Sequence, residues 1–353
     1  MTEGITTPGA GWRRADGPPA QKREKRRRRR GGGGRRGEVL MVEEAEFTSY
    51  YGRPIIKPPV WKTPDVPLYL FLGGAAGSSS IMAALADLTD RPALTRNSRY
   101  VSGGAAIASV VFLIHDLGRP QRFLHMLRVI KPTSPLSIGS YILAPFSAAA
   151  GATAAVELLG WFPRLKRFGG VVAALFGAPL ATYTGVLFSN TAVPSWHAAH
   201  KELPFVFGAS GMAAGGGITM AISPIDEAGP SRKMAVTGAV VELAAMHRVE
   251  TEFGIVSEPY HEGKAGTLLR AAKSCTAAGA ALTVVAGRRR AGAVVAGALL
   301  AAGSLLTRFG VYEAGMASAR DPKYTVVPQR ERLAAREAGQ AAAQNGHAPS
   351  VTR

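Results

Sequence analysis

Charged and apolar positions along this chain are segregated into long blocks. Residues 66–86, 136–156, 168–192 and 203–225 contain no Asp, Glu, Lys or Arg. Each is at least as long as the roughly 20 residues a helix needs to cross a hydrocarbon core at about 1.5 Å per residue. Two shorter runs, 100–117 and 291–307, are bounded by charges, the first closing on His115-Asp116. Hydropathy alone predicts these six segments as transmembrane helices. Two further segments, 234–249 and 267–286, carry Glu242, His247, Arg270 and Lys273. They span if the basic side chains near their ends snorkel to the interface and Glu242 faces the bundle interior. The pattern therefore predicts an all-α, polytopic transmembrane helix bundle with about eight membrane-spanning helices.

Small residues fill these segments, as in Gly73-Gly74-Ala75-Ala76-Gly77, Gly103-Gly104-Ala105-Ala106 and the glycine-rich stretch 211–217. In lipid such residues let helix backbones approach and pack closely, so the helices are expected to bundle with one another. Between 117 and 135 the chain turns polar and amphipathic, with Arg119, Arg122, His125 and Arg128 spaced among Phe123, Leu124 and Leu127. This stretch is expected to lie along the membrane interface rather than to cross it. The chain divides into a disordered basic tail (1–46), a pre-membrane segment (47–65), the transmembrane bundle (66–312) and a C-terminal tail (313–353). The last of these is expected to be largely disordered after about residue 330.

The formal charge of +18 changes this picture little, because much of it sits in the tail, in Lys22-Arg23, Lys25 and the arginines of 26–30. A stretch of Gly, Pro, Arg and Lys buries too little apolar surface to offset the entropy of ordering it. The remainder carries no zinc-ligand spacing and no soluble recognition helix, which argues against nucleic acid as a partner. Anionic membrane lipids are the better partner for the tail. It is not a signal peptide, since glycines rather than an apolar region follow the charges. Basic residues of the short loops divide almost evenly between the two faces, so the positive-inside rule does not orient the bundle. The tail favours cytoplasmic termini. Cys275 is the single cysteine, which excludes an intrachain disulfide and any iron–sulfur cluster held by four thiolates of this chain.

Ionisable residues at membrane depth are costly and so mark candidate chemistry. Asp65 stands at the start of the first helix, where it suits an N-cap as well as a ligand role. His115, Asp116 and Arg119 fall within five residues at the end of the second run. They suit a proton relay, hydrogen bonding to a quinone carbonyl, or a helix-terminal ion pair. Tyr183 lies well inside an apolar helix, and a buried phenol needs a partner for its hydroxyl. Glu242, His247 and Glu250 are spaced roughly along one helical face, which fits a proton path or a stripe pairing with basic residues of the next helix. The seven histidines fall at helix ends, in loops or in the tail, so haem held between facing helices is not expected.

Several short motifs, in order, carry a resemblance. They are Pro67-Leu68-Tyr69-Leu70-Phe71-Leu72-Gly73-Gly74, Asp116-Leu117-Gly118-Arg119-Pro120-Gln121-Arg122-Phe123, Pro132-Thr133-Ser134-Pro135-Leu136-Ser137-Ile138-Gly139-Ser140-Tyr141, Tyr183-Thr184-Gly185 and Pro194-Ser195-Trp196. Over residues 61–324 the chain resembles the NrfD/polysulfide reductase family of haem-free membrane anchors of molybdopterin oxidoreductases. The resemblance implies eight helices and a site for menaquinone or ubiquinone near the face that meets an iron–sulfur electron-transfer subunit, itself joined to a molybdopterin catalytic subunit. The family's quinone-site tyrosine looks similar in setting to Tyr183, and its polar residue at the start of the first helix corresponds best to Asp65. A histidine that some members carry just after that polar residue is missing, since Val66, Pro67 and Leu68 stand there. His115 and Asp116 are the candidates to supply its contact.

The expected function is a quinone- or quinol-interacting membrane subunit of a formate dehydrogenase- or polysulfide reductase-like respiratory complex in the cell membrane. It would exchange electrons between its iron–sulfur partner and the quinone pool, with no metal chemistry of its own. A small-solute or ion transporter is the alternative, and an internal repeat between the two halves would mark it. A purely structural anchor is a third reading.

Overall fold

The computed structural model describes residues 54–119, 121–160 and 162–346, with side chains as far as 340. The basic tail, the first part of the pre-membrane segment (47–53) and the last seven residues lie outside the described residues. Twelve α-helices follow one another: α1 (Asp65–Leu88), α2 (Pro92–Leu117), α3 (Gln121–Met126), α4 (Pro135–Leu159), α5 (Pro163–Ser189), α6 (Pro194–Ala198), α7 (Leu203–Ile222), α8 (Gly229–Thr251), α9 (Glu258–His261), α10 (Gly263–Ala286), α11 (Arg290–Arg320) and α12 (Lys323–Gly346). Among the described residues there is no strand. Seven of these helices are long and apolar enough to cross a membrane. The eighth of comparable length within the bundle is α8, whose mean hydropathy is lowered by Arg232, Lys233, Glu242, His247 and Arg248. It packs along α7 and α10 like the rest of the bundle.

Proline sets where these helices begin. It occupies the first turn of α2, α4, α5, α7 and α8, where its missing N–H is no loss and its fixed φ suits the helix. Gly118 (φ 71°) and Gly160 (φ 69°) end α2 and α4 in the left-handed region, a conformation glycine adopts without steric cost.

Short turns join α1 to α2, α4 to α5, α7 to α8 and α10 to α11, and each pair packs together as an antiparallel hairpin. The three longer connections carry α3, α6 and α9 at the opposite end. That end, called upper below, also holds the start of α1 and the end of α11. There Tyr312 donates to the carbonyl of Trp61 (2.7 Å) and Trp196 Nε1 to that of Val311 (2.7 Å). Trp61, Phe188 and Trp196 stack beside them, with ring centroids 4.3 to 5.6 Å apart. The hairpin turns form the lower end.

Helices α1 and α7 are the most enclosed, while α2, α4 and α10 turn much of their surface outward. Leu158, Leu175, Val284 and Val285 are each at least 70% exposed, a surface that suits lipid rather than water. Inside, α1 crosses α5 at Gly77 and Gly177. A methyl added to either would lie 2.4 to 2.5 Å from the other's carbonyl oxygen, so the close packing expected of the small residues is realised at this crossing.

The structure departs from the sequence expectation near the C-terminus. The helix expected over 291–307 runs on to Arg320, for 31 residues. The charge that bounds the expected span, Arg308, is completely buried. Residues expected to be largely disordered after about 330 belong to α12. Residues 329–340 are exposed along their length, and the abundance of Ala, Gln, Glu and Arg gives this polar segment a helical preference of its own.

Candidate functional site

The first turn of α1 carries Asp65, whose side chain is nearly inaccessible. Its Oδ2 lies 2.7 Å from Nδ1 of His115 on the last turn of α2. The histidine side chain is 73% exposed and that of the aspartate 6%. The imidazole therefore connects a buried carboxylate to the surface. Asp65 makes no capping bond to α1, whose N-cap position is Pro64. The interhelical pair, rather than the N-cap role, accounts for its carboxylate. Asp116 points elsewhere and accepts a hydrogen bond from the backbone N–H of Lys62 (2.9 Å), which ties the segment before α1 to the end of α2. Arg119 lies just beyond Gly118 and is exposed. Among the described residues, no hydrogen bond or ion pair joins its side chain to Asp65 or His115.

One helical turn further along the same face of α1 is Tyr69, buried beside α2, where Ser109 Oγ donates to its carbonyl (3.0 Å). Across from it Tyr183 of α5 lies flat against the backbone of α4 at Gly139. A methyl at that position would fall 1.8 Å from the Tyr183 Cζ, so only glycine leaves room for the ring. Tyr69 and Tyr183 line one narrow cavity with Leu113, Met126, Leu136 and Leu180. Its volume is about 20 Å³, room for a water molecule and too little for a six-membered ring until a wall moves. The wall formed by Met126 belongs to α3, which is short, largely exposed and packed on α2.

These residues come from the starts of α1 and α4 and the ends of α2 and α5, so the site sits within about two turns of the upper end. From outside inward it offers an imidazole, a carboxylate and two phenols. Phenols donate hydrogen bonds to carbonyl oxygens, and carboxylate and imidazole take up and release protons. Leu113, Leu136, Leu143 and Leu180 with Gly73 and Gly139 give the cavity largely apolar walls.

A second polar cluster lies on the other side of α1. Glu242, in the middle of α8, is buried and accepts a hydrogen bond from Thr307 Oγ1 of α11 (2.7 Å). Next to Thr307, the guanidinium of Arg308 donates to the carbonyl of Phe207 (2.7 Å) and sits 4.1 Å from that residue's ring centroid. Ser210 and Ser304 bond each other alongside (2.9 Å). Glu242 Oε2 and two nitrogens of Arg308 have no protein partner among the described residues. Groups of this kind at membrane depth are seldom structural alone. The cluster abuts α1 at Gly74, where a methyl would meet Arg308 Nη2 at 3.1 Å, while the preceding Gly73 lines the tyrosine cavity.

The structure corrects the proposed stripe on α8. His247 is exposed, because five residues of helix rotate it well away from Glu242. Glu250 instead pairs with Lys273 of α10 (2.7 Å), as the alternative reading of that stripe expects. Sequence reasoning also missed two residues. Arg308 was visible as a lone charge between Leu305-Leu306-Thr307 and Phe309-Gly310-Val311. Tyr69 stands four residues after Asp65, a spacing that places both on one helical face.

Residues 55–246, more than half of the chain, match the family model described as Polysulphide reductase, NrfD. Among curated proteins no sequence matches the chain.

Proposed function

The chain belongs to the NrfD family of polysulphide reductase membrane subunits, and on that footing we propose that it is the haem-free quinone- or quinol-interacting anchor of a molybdopterin oxidoreductase. Electrons would pass between the quinone pool of the inner membrane and an iron–sulfur partner subunit, which in turn serves a molybdopterin catalytic subunit. The observation that carries this reading is the pair of phenols, Tyr69 and Tyr183, facing one apolar cavity beneath the Asp65–His115 pair.

A bound quinone supplies the redox chemistry, gaining or losing electrons and protons together. The donor set fits its carbonyl oxygens, and the leucine and glycine walls fit its ring once the exposed α3 flank shifts. Tyr183 and Tyr69 donate hydrogen bonds into the cavity and fix the ring's orientation. Asp65 holds or releases the proton that accompanies electron transfer, and His115 exchanges it with water at the upper face. Arg119 and Asp116 border this proton exit without contacting the pair. Glu242, hydrogen-bonded by Thr307 near Arg308, is the proton-holding group deeper in the bundle. His247 has no part in that path.

Replacing Tyr183 with Phe removes one donor and keeps the ring. Quinol-linked turnover of the complex is expected to fall at least tenfold, since one hydrogen bond to a reacting oxygen is worth about 1.5–3 kcal/mol. Activity of the catalytic subunit with a soluble dye stays unchanged. Wild-type quinol kinetics in this variant would sink the assignment.

A further inference from the structure

At the lower end, away from the tyrosine cavity, α8 begins beside the point where α10 stops. A groove of about 520 Å³ opens between them, with Arg232, Lys233 and Arg288 along its rim and Val236, Thr237, Thr283 and Val284 below. The apolar part continues along the outside of the bundle, where Val240, Val284 and Val285 are 58, 71 and 85% exposed. On α8, residues 232, 236 and 240 follow at intervals of four and so form one stripe from rim to mid-helix.

Among the described residues the basic side chains at this rim lack acidic partners. Arg232 Nη1 reaches the carbonyls of Ile225 (3.1 Å) and Gly287 (3.5 Å), which holds it across the mouth. Arg91 Nη1 is held likewise by the carbonyls of Asp226 and Glu227. The two guanidiniums flank Gly229, each within 3.8 to 4.0 Å of where its side chain would begin. The carboxylate of Glu227 is engaged by the backbone N–H of Leu94 (2.8 Å), and Asp226 is exposed. Among the described residues Arg91, Arg232, Lys233 and Arg288 form no ion pair with any carboxylate.

We propose that this groove binds an anionic phospholipid, its phosphate held by Arg232, Lys233 and Arg288 and an acyl chain lying along Val236, Val240 and Val284. Arginine offers planar, paired donors that match phosphate oxygens. Clustered basic residues between transmembrane helices at the interface suit anionic headgroups. The apolar stripe continuous with the rim is what separates a lipid from a free anion, which would have no use for it. The site also explains how α8, the most polar of the long helices within the bundle, is accommodated at the interface: its two leading charges are neutralised by the headgroup.

The test uses the full chain purified in neutral detergent, with added phosphatidylglycerol or cardiolipin, phosphatidylcholine, or inorganic phosphate. Bound lipid is read by native mass spectrometry and stability by thermal unfolding. Anionic lipid is expected to remain bound and to raise the unfolding temperature, with phosphatidylcholine and phosphate giving neither effect. The variant Lys233→Gln/Arg288→Gln, which spares the structural hydrogen bonds of Arg232, should bind anionic lipid on the order of thirtyfold more weakly, at about 1 kcal/mol per basic residue. Its unfolding temperature in phosphatidylcholine should equal that of the wild type. Equal binding of both lipids, undiminished anionic-lipid binding in the variant, or full reproduction of the effect by phosphate would each overturn the proposal.

Discussion

Gly139→Ala adds one methyl group and removes no chemical function, yet it acts directly on the candidate quinone site. The new carbon would lie 1.8 Å from Tyr183 Cζ and 2.1 Å from its hydroxyl oxygen. Carbons in contact sit at about 3.5 Å or more, so the ring has to retreat by about 1.7 Å, the difference between the two values. Helix α4 is fixed by its packing on α2 and α5, so the displacement falls on the tyrosine. Misplacing a catalytic group by about 1 Å costs on the order of 100-fold in rate, near 2.7 kcal/mol. Overpacking of this kind costs about 1–3 kcal/mol of stability, which a bundle of this size tolerates. The assay compares quinol-linked turnover of the membrane-bound complex with dye-linked activity of its catalytic subunit. Quinol turnover should fall about 100-fold and dye activity should hold. Adding Tyr183→Phe to Gly139→Ala should lower turnover little further, because both changes remove the same hydrogen bond. Full quinol turnover in Gly139→Ala, or losses that simply multiply in the double variant, would refute the reasoning.

Further expectations concern groups outside that cavity. Arg308→Met takes the donor from the buried carbonyl of Phe207 and the cation from the neighbourhood of Glu242, and should cost about 1–3 kcal/mol; adding Glu242→Gln should recover part of it, measured by unfolding in detergent. Because the tyrosine cavity and the Glu242 cluster lie on opposite sides of α1, the effects of Tyr183→Phe and Glu242→Gln on stability should add within about 0.5 kcal/mol. Lys323, outside the bundle, donates to Glu258, which raises its pKa above the ordinary 10.5. A raised folded value means the contact's contribution is complete below pH 10.5 and is lost as pH climbs through the higher value. Proteolysis of α12 should therefore accelerate only in strongly alkaline solution, and not in Lys323→Met.

The transmembrane spans were legible because the signal is long and redundant. A run such as 203–225 has no competing interpretation, and proline marks most helix starts to within a few residues. The sequence misleads where a single charge looks like a boundary. Arg308 bounds the last expected span, but the carbonyl it donates to, that of Phe207, lies 101 residues earlier in the chain, and no local pattern reveals that contact. The same holds for Asp65 and His115, which stand 50 residues apart: each was singled out by type and position, and only folding brings them together. His247 departs from the face of Glu242 for a geometric reason, since a spacing of five turns a residue out of the face that three or four would share. In α12 the alanine and glutamine content favours helix where disorder is expected after about residue 330.

These contacts divide the work of the bundle along α1. Its Tyr69 and Gly73 face the cavity shared with α2, α4 and α5, with Asp65 one turn above Tyr69, while Gly74 faces the charges held by α8 and α11. Consecutive glycines at this depth let one helix serve both neighbours without a side chain between them, and the enclosed position of α1 follows from that dual role. Protons handled at the two places need not follow one route. The Asp65–His115 pair opens at the upper face within one turn of the phenols. Glu242 sits a helix away, with α1 in between and unpaired polar atoms of its own. A quinone-linked subunit that only exchanged protons with the upper face would need the first group and not the second. The second is therefore the part of this bundle that quinone binding alone does not explain, and the Glu242→Gln variant is where a function beyond anchoring would show.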